Sequence, residues 1–568
     1  GPVALGATIA WDVDFKSGAR WQPRYFRDIP VLNAQRPSDI KVPWELSRLQ
    51  WLLPVGQMYL LSGDEQQALL ARNVLEQWLA ANPTGQTVNW ALAMEPALRI
   101  FSWIWLFRVF AASAAWAEPE FRARFLCSLY QHGEFVARHI ERADVNGNHF
   151  TADCAALVVA GAFFGGAEAQ GWLQRAHADL EREIALQILE DGVDYEASCA
   201  YHRLVAELFL LAAIHAEHRG LAVSARYRER LGAAARFTLA YTRADGSTPL
   251  WGDADDARAL PLGTAPLLDH RHLIACTALF LGDAELAAAA GGGWEEALWL
   301  YGAARVPASA PVAPPPPPGA LEFPRGGAYV LRARGAHVFV DCGPVGLAGR
   351  GGHGHNDALS FEAMLGGIPV VSDAGCFVYT QSFEERNRFR ATAPHNTPQI
   401  DAEEINRFVS PHLLWLLHDD AQPFEPHARR CGELLVFEGG HTGYQRLREP
   451  LLPWRRIELH VDGGTLRICD SFRGSGHHEF SVPLQLAAGW SLAELTPESA
   501  HCRHVNGARL EIRWQGAGGW RVDTEPGRIA PSYGVSQAAL RFVCRAAGAA
   551  ATLSLTTSLR LLADGAAA

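Results

Sequence analysis

The chain has 568 residues, of which 49% are hydrophobic and 20% charged, and its formal net charge is -11 at pH 7. This length predicts two or more domains with sizeable hydrophobic cores. The acidic balance argues against a general nucleic-acid binder, and because no uninterrupted run of about 20 apolar residues occurs, no membrane span is expected.

The first half of the chain is rich in Ala, Leu, Arg and Glu, with apolar residues at i, i+3, i+4 and i+7. This periodicity predicts amphipathic helices over residues 42–61, 64–81, 95–112, 118–142, 150–164, 171–190, 201–219, 222–241 and 267–281. Helices of similar length in succession indicate stacked hairpins, closed as an (α/α) toroid or left open as a solenoid.

A proline-rich segment separates this half from a β-rich half. It contains Pro311 and the run from Pro314 to Pro318, which favours polyproline II and predicts a stiff linker. Short runs of β-formers then predict strands over residues 328–334, 337–341, 368–372, 434–438, 456–461, 465–469 and 551–561, with one short helix over 382–390. The predicted fold class is α+β multidomain: a helical domain over 1–306, a linker over 307–320 and an antiparallel β-sandwich over 321–568.

Two polar segments lie at predicted helix starts. Asn89 precedes a helix that carries Glu95 and Arg99, which are spaced i, i+4 and can pair on one face. The alternative there is a helix cap with a surface salt bridge. Asn148 and His149 open another helix and offer an amide donor and an imidazole base, or alternatively a simple N-cap.

The segment 191–203 is polar and irregular before it becomes an apolar helix. It contains Glu196 and the triplet Tyr201, His202 and Arg203. A phenol near cations can ionise and act as a base. The alternative is that Tyr201 and His202 form hydrogen bonds between helices.

An acidic loop over 251–256 contains Asp253 and Asp255. It could bind a divalent cation or pair with arginines. Because the spacing of an EF-hand is absent, a solvated acidic turn is the favoured interpretation.

The run over 349–360 places His353 and His355 two residues apart among glycines, and Asp373 and His395 follow. This set can close a three-ligand metal site and leave one imidazole free for a substrate. The ten cysteines lie singly without a CxxC pair, so no thiolate zinc site is predicted.

Taken together, these stretches resemble the heparinase II/III-like polysaccharide lyases. The matching segments lie in order at 39–48, Asn89 to Arg99, Asn148-His149, Glu196 to His202, Gly252-Asp253, 352–357, 372–375 and 395–397. The resemblance implies an incomplete N-terminal (α/α) toroid followed by a C-terminal antiparallel β-sandwich, in agreement with the periodicity. It also implies β-elimination at a uronic acid of an acidic polysaccharide.

The resemblance further implies roles for individual residues. Asn148 with His353 would neutralise the uronate carboxylate, Tyr201 would be acid, base or both, and His149 would be the base for the opposite C5 epimer. The implied ligands of a structural divalent metal, zinc, are His355, Asp373 and His395. The residues expected to hold substrate or orient Tyr201 are Asn89, Arg99, Glu196, His202 and Arg203.

Lysine is rare: Lys16 and Lys41 are the only two in the chain. A lysine-rich surface for heavily sulfated heparin is therefore absent, and a weakly sulfated or unsulfated polysaccharide, including bacterial exopolysaccharides, is the expected substrate. Such a substrate suggests a periplasmic or secreted protein. The chain opens with Gly-Pro, so the missing signal peptide carries no information about export.

Two other functions fit the sequence. An (α/α) toroid can carry a glycoside hydrolase, whose acid and base would come from Glu95, Glu196, Asp253 or Asp255. A catalytically silent glycan-binding protein is the other. A hydrolase predicts new reducing ends without an unsaturated product, and a silent protein predicts binding without depolymerisation.

Overall fold

A computed structural model describes residues 4–307 and 317–562 of the chain. The polyproline run of the predicted linker over 307–320 lies largely outside these residues. The last helix before the gap ends at Tyr301, and the first strand after it begins at Gly319. The stiff linker itself stays a prediction.

The N-terminal half is helical. Its α-helices are α1 Lys41–Ser47, α2 Leu53–Ser62, α3 Glu65–Ala81, α4 Met94–Phe110, α5 Pro119–His139, α6 Asn148–Phe163, α7 Ala167–Gln187, α8 Cys199–His218, α9 Ala225–Tyr241, α10 Arg271–Leu281, α11 Ala284–Ala289 and α12 Trp294–Tyr301. Helix α6 packs against α4, α7 and α8, and its residues from Phe150 to Gly161 are all buried. The first turns of α6 and α8 are therefore held firmly by the core.

The predicted helix over 42–61 is wrong, because the chain forms two helices there. Leu49 adopts a left-handed conformation with φ 57°, and Pro54 lies in the first turn of α2. Proline has no amide hydrogen and clashes with the preceding turn, so it begins a helix and does not continue one.

The C-terminal half is built of antiparallel strands. These are β1 Gly319–Phe323, β2 Ala328–Ala333, β3 Ala336–Asp341, β4 Phe361–Leu365, β5 Ile368–Val371, β6 Gln399–Ile400, β7 Pro423–Cys431, β8 Leu434–His441, β9 Leu451–His460, β10 Thr465–Gly474, β11 His477–Gln485, β12 Trp490–Leu495, β13 Ser499–His504, β14 Arg509–Ala517, β15 Arg521–Ser532, β16 Val535–Ala549 and β17 Ser554–Leu562. Within the described residues of this half, the one α-helix is α13, Phe383–Arg390, close to its predicted position.

The strands form three sheets. Their orders are β1-β2-β3-β4-β5, β12-β13-β14-β17-β10-β9-β8-β7 and β15-β16-β11-β6. One buried apolar cluster takes residues from all three, including Val338, Leu459 and Phe542, so the sheets share a core. The order of elements confirms the predicted fold class, a helical toroid followed by an antiparallel β-sandwich.

Strands β11 to β16 were not predicted apart from their general β-character. In β15 and β16 the buried residues lie in consecutive runs, such as Phe542 to Cys544, so these strands lack the alternation of buried and exposed residues that marks a strand in sequence. Among the described residues, one helix, α8, is long and apolar enough to cross a membrane, but 83% of its most apolar window is buried inside the protein. All ten cysteines are free, and Cys154 and Cys276 are buried in the helical core.

Candidate active site

The candidate site lies where the helical half meets the loop between β3 and β4. Tyr201, in the first turn of α8, and His353, in that loop, stack with ring centroids 3.5 Å apart and planes 13° apart. The Asn148 Nδ2 atom lies 3.3 Å from His353 Nε2, although the two residues are 205 positions apart in sequence. The fold thus assembles Asn148, Tyr201 and His353 from three separate segments.

Tyr201 is held by the cap of its helix. Ser198 is the N-cap of α8; its hydroxyl accepts a hydrogen bond from the Tyr201 backbone N–H at 3.1 Å and donates one to the Asp253 carbonyl at 2.5 Å. The Tyr201 hydroxyl donates to Asp255 Oδ2 at 3.0 Å and lies 3.2 Å from the Tyr379 hydroxyl. Hydrogen bonds thereby hold Tyr201 at its backbone amide and at its hydroxyl.

The electrostatics of Tyr201 differ from the sequence expectation. Burial and the nearby carboxylates of Asp255 and Asp253 raise the pKa of Tyr201 well above its ordinary value. The expectation that neighbouring cations would ionise the phenol is therefore wrong for this structure. Tyr201 is a protonated donor, which suits a general acid.

Asn148 is oriented by Glu196. The Glu196 carboxylate accepts the Asn148 backbone N–H at 2.8 Å and its side-chain Nδ2 at 3.0 Å. Gly147 permits this approach, because a Cβ there would lie 2.4 Å from Glu196 Oε1. The N-cap of α6 is Gly147, so the alternative that Asn148 itself caps the helix is wrong. Glu196 is buried and positions Asn148.

His149 faces a different carboxylate. Its Nδ1 lies 2.9 Å from Glu141 Oε2, and 40% of its side chain is exposed. Desolvation alone would lower the pKa of His149, but the Glu141 carboxylate outweighs it and raises the pKa to about 9. The imidazole must lose that proton before it can act as a base.

Asp253 is the buried centre of the site. Its carboxylate accepts His353 Nδ1 and His355 Nε2, each at 2.9 Å, and forms an ion pair with both terminal nitrogens of Arg386 on α13. Burial alone would raise the pKa of Asp253, but Arg386 and the two histidines hold it well below its usual range. The favoured sequence interpretation of a solvated acidic turn is therefore wrong.

The loop reaches this position because of Gly252. Its φ is +69°, and a Cβ there would lie 2.4 Å from the Ala197 carbonyl oxygen and 2.9 Å from that of His353. Only glycine fits such a close, left-handed passage without strain. In the same loop, Asp255 pairs with Lys41 of α1 at 2.6 Å, so both acidic residues are paired with cations.

The predicted metal ligands lie together. His355, Asp373 and His395 are buried, and one ligand atom of each lies within 4.8 Å of the others. Within the part of the chain that the structure describes, His355 Nδ1 and His395 Nε2 have no hydrogen-bond partner, and His395 Nδ1 lies 2.8 Å from Asp373 Oδ2. A buried polar atom without a partner is costly, and imidazole with carboxylate suits a divalent transition metal. The donor set fits a cation.

Two further buried aspartates surround this triad. Burial raises the pKa of both, with repulsion from Asp357 adding to the rise for Asp341 and repulsion from Asp373 adding to the rise for Asp357. Asp341 Oδ1 also lacks a hydrogen-bond partner among the described residues. A cation beside the triad would offset this concentration of acidic groups.

Asn89 and Arg99 do not reach this site. Arg99 is fully buried between the rings of Trp78 and Trp90, and it donates to His132 Nε2 at 3.0 Å and to the Asn89 carbonyl at 2.7 Å. The predicted pairing of Arg99 with Glu95 is wrong, because Glu95 forms its ion pair with Arg48 at 2.7 Å. This placement contradicts substrate contact and gives Asn89 and Arg99 a structural role in the helical core.

His202 and Arg203 also point away from the cleft. His202 Nε2 bridges to Thr238 Oγ1 of α9 at 3.0 Å, as the interhelix alternative predicts. Arg203 donates to the backbone carbonyls of Leu267 and Ala257 at 2.6 and 3.0 Å. Both side chains are buried. Substrate binding by these two residues is contradicted, because their polar atoms bond to other segments of the helical half and not to groups of the cleft.

Sequence reasoning did not identify Tyr379, Arg386 or the Lys41–Asp255 pair as part of the site. Tyr379 precedes the predicted helix 382–390 and Arg386 lies within it, and neither segment carried a recognisable polar motif. The usable signal was Asp253 within the acidic loop, because a carboxylate after a Trp-Gly turn needs a cation once it is buried. Its partner lies 133 positions away and could not be named from sequence.

Comparison with known proteins adds a separate finding. Residues 6–261 match the family described as Heparinase II/III N-terminus, and residues 315–558 match the one described as Heparinase II/III-like, C-terminal. A heparin-sulfate lyase of Bacteroides stercoris is 23% identical over 525 residues, covering 87% of this chain and 71% of the relative. One of Pedobacter heparinus is 26% identical over 224 residues, covering 38% of this chain and 33% of the relative.

Solved structures share the same fold. The crystal structure of heparinase III superposes with a TM-score of 0.72 at 20% sequence identity, covering 91% of this chain and 77% of that one. At this identity the likeness concerns the architecture, and the chemistry has to be argued from the side chains.

Proposed function

Because the chain belongs to the heparinase II/III-like family and is a polysaccharide lyase, we propose that it cleaves a weakly sulfated, uronate-containing glycosaminoglycan by β-elimination. The observation that carries this proposal is the Tyr201–His353 stack facing the Asn148 amide, 3.3 Å from His353 Nε2. In the reaction the C5–H and C4–O bonds break and a C4=C5 double bond forms.

The groups of the site then divide the steps of the reaction among them. The uronate carboxylate binds between Asn148 Nδ2 and His353 Nε2, which makes the adjacent C5 proton easier to remove. Tyr201 donates its phenolic proton to the departing oxygen. His149 removes the C5 proton when that proton and the leaving group lie on opposite faces. When they share a face, Tyr201 has to serve as base as well as acid, which the Asp255 carboxylate disfavours.

A weakly sulfated substrate is supported by the cations near the site, which are paired with carboxylates of the protein itself. Lys41 pairs with Asp255, Arg386 with Asp253 and Arg48 with Glu95. None of these three charges is left for a sulfate group. A polymer substrate also favours a periplasmic or secreted location for the enzyme.

The test is incubation with polymers that share a uronate–hexosamine backbone and differ in sulfation. We expect the ultraviolet absorbance of the unsaturated uronate to rise, with the highest kcat/KM on the least sulfated polymer. New reducing ends without absorbance would identify a hydrolase, and binding without either signal would identify a silent glycan-binding protein. A preference for the most sulfated polymer would contradict the substrate assignment.

The pH dependence should follow His149. Below a pKa of about 9 its imidazole is protonated and cannot accept the C5 proton, so kcat/KM for the opposite-face epimer should rise as pH increases toward 9. Glu141→Gln removes the charge that raises this pKa and should move the rise toward neutral pH. A pH profile that is identical in both proteins would exclude His149 as the base.

We further propose that His355, Asp373 and His395 hold a structural divalent metal, zinc, which fixes the loop that carries His353. When bound, the metal supplies charge neutralisation to this acidic pocket. Metal analysis of the purified protein should find about one ion per chain in the parent and a large loss in His395→Ala. His441→Ala removes an equally buried histidine of the same half and should keep the metal. Equal metal content in all three proteins would contradict the site.

A further inference from the structure

A cavity of about 380 Å³ lies beside the proposed active site, at the junction of the two halves. Its walls come from the start of the helical half and from Tyr533 in the turn between β15 and β16. The residues that matter for its chemistry are Phe15, Lys16, Lys41, Glu45, Trp51 and Tyr533. Mostly apolar pockets of this size with a few polar groups, set between domains, are typical of ligand sites.

Two aromatic side chains of the wall are open to solvent, and one of them, Trp51, is fixed in orientation. Phe15 is 42% exposed and Trp51 is 37% exposed. The Trp51 indole N–H donates to the Leu46 carbonyl at 3.0 Å, so the ring cannot turn away. Exposed, immobilised aromatic faces are suited to contact with the C–H face of a sugar ring.

Among the described residues, the charged group of the cavity that has no ion-pair partner is a cation. Both lysines of the chain line it. Lys41 is neutralised by Asp255 at 2.6 Å and Glu45 at 3.3 Å, and Glu45 also pairs with Arg48. Within residues 4–307 and 317–562 no carboxylate pairs with the Lys16 ammonium, which lies beside Gly534 at the same turn as Tyr533. The cavity therefore offers one unpaired cation.

The cavity is joined to the Tyr201 hydroxyl by two routes. Lys41 binds Asp255, which accepts the hydrogen bond of Tyr201. On the other side, the Tyr533 hydroxyl accepts the backbone N–H of Tyr379 at 2.7 Å, and the Tyr379 hydroxyl lies 3.2 Å from that of Tyr201. These contacts place the cavity next to the residues that hold the Tyr201 hydroxyl.

We propose that the cavity is a subsite for an anionic sugar unit of the same polysaccharide, outside the cleaved linkage. The sugar ring lies against Trp51 and Phe15, and its acidic group lies near Lys16. This inference rests on the proposed function, since it assumes an acidic polysaccharide as the substrate. The subsite contributes binding along the chain and takes no part in proton transfer.

The test measures binding separately from cleavage. An unsulfated uronate–hexosamine polymer is titrated by calorimetry into the Tyr201→Phe protein, with and without a second change. Trp51→Ala should weaken binding roughly 5- to 10-fold, because it removes one stacking face, and Lys16→Gln should weaken it several-fold. The matched controls are Trp299→Ala, a half-buried tryptophan of α12, and Arg521→Gln, an exposed cation of β15; both should bind as the parent does.

Kinetics of the otherwise unchanged enzyme supply the second readout. Trp51→Ala and Lys16→Gln should raise KM for the polymer and leave kcat nearly constant, as expected for lost uniform binding. Unchanged binding and KM in both variants, with the polymer still cleaved, would overturn the subsite and leave the lyase proposal intact. Weaker binding in the variants of a protein that produces no unsaturated uronate from any polymer would overturn the lyase proposal and keep the subsite.

Discussion

Tyr201→Phe should lower kcat by about 10²- to 10⁴-fold, the contribution expected of one general acid. The change removes only the hydroxyl that donates to Asp255 and faces Tyr379. The ring that stacks on His353 remains, so the carboxylate-binding pair of Asn148 and His353 should keep its position. Binding of substrate should therefore change little. The measurement is the rate of appearance of the unsaturated uronate, with calorimetric binding of the same polymer.

The matched control is Tyr227→Phe. Tyr227 is also a buried tyrosine, and its hydroxyl donates to the Phe209 carbonyl at 2.7 Å in the helical core. The Tyr227→Phe variant loses the same hydroxyl group and a comparable hydrogen bond outside the candidate site, so its kcat should stay near the parent value. If Tyr201→Phe retained most of its activity, another group would have to protonate the leaving oxygen. Tyr379 would then be the next residue to replace.

Asp253→Asn should damage both activity and stability. The amide cannot balance the charge of Arg386, and one uncompensated buried charge costs about 3–5 kcal/mol of folding free energy. His353 and His355 also lose the carboxylate that orients them. A displaced catalytic group can cost roughly 10²-fold in rate, so kcat/KM should fall by about that factor in the molecules that remain folded. Thermal unfolding and kinetics below the transition separate the two effects.

Glu207→Gln is the matched control for this change. The Glu207 carboxylate is also buried and shared by an arginine and a histidine, with Arg258 Nε at 2.5 Å and His272 Nε2 at 2.6 Å. Its loss should cost a similar amount of stability without a specific fall in kcat. Equal losses of kcat/KM in the two variants would mean that Asp253 acts only through stability. In that case it would have no orienting effect on His353.

The candidate site illustrates what could and could not be predicted from the sequence. The glycine-flanked histidines, Asn148 and Tyr201 were recognised as chemically unusual for their local structure, and the fold brings Asn148, Tyr201 and His353 together. Arg99 and His202 looked equally functional but are buried in the helical core. A charged residue in a polar motif has the same sequence signature whether it faces a cleft or a core. The catalytic and binding roles of Asn148, Tyr201 and His353 stay predictions.

Sequence alone determined the fold class, because helical and strand periodicities are local and repeat over many residues. It also located the loops with unusual chemistry, since glycine and histidine runs have no role in building helices. Only the tertiary structure decided the partners: Arg386 for Asp253, Asp255 for Tyr201 and Glu196 for Asn148. These pairs join segments far apart in sequence, and burial, which sets the protonation of each group, exists only once the chain has packed.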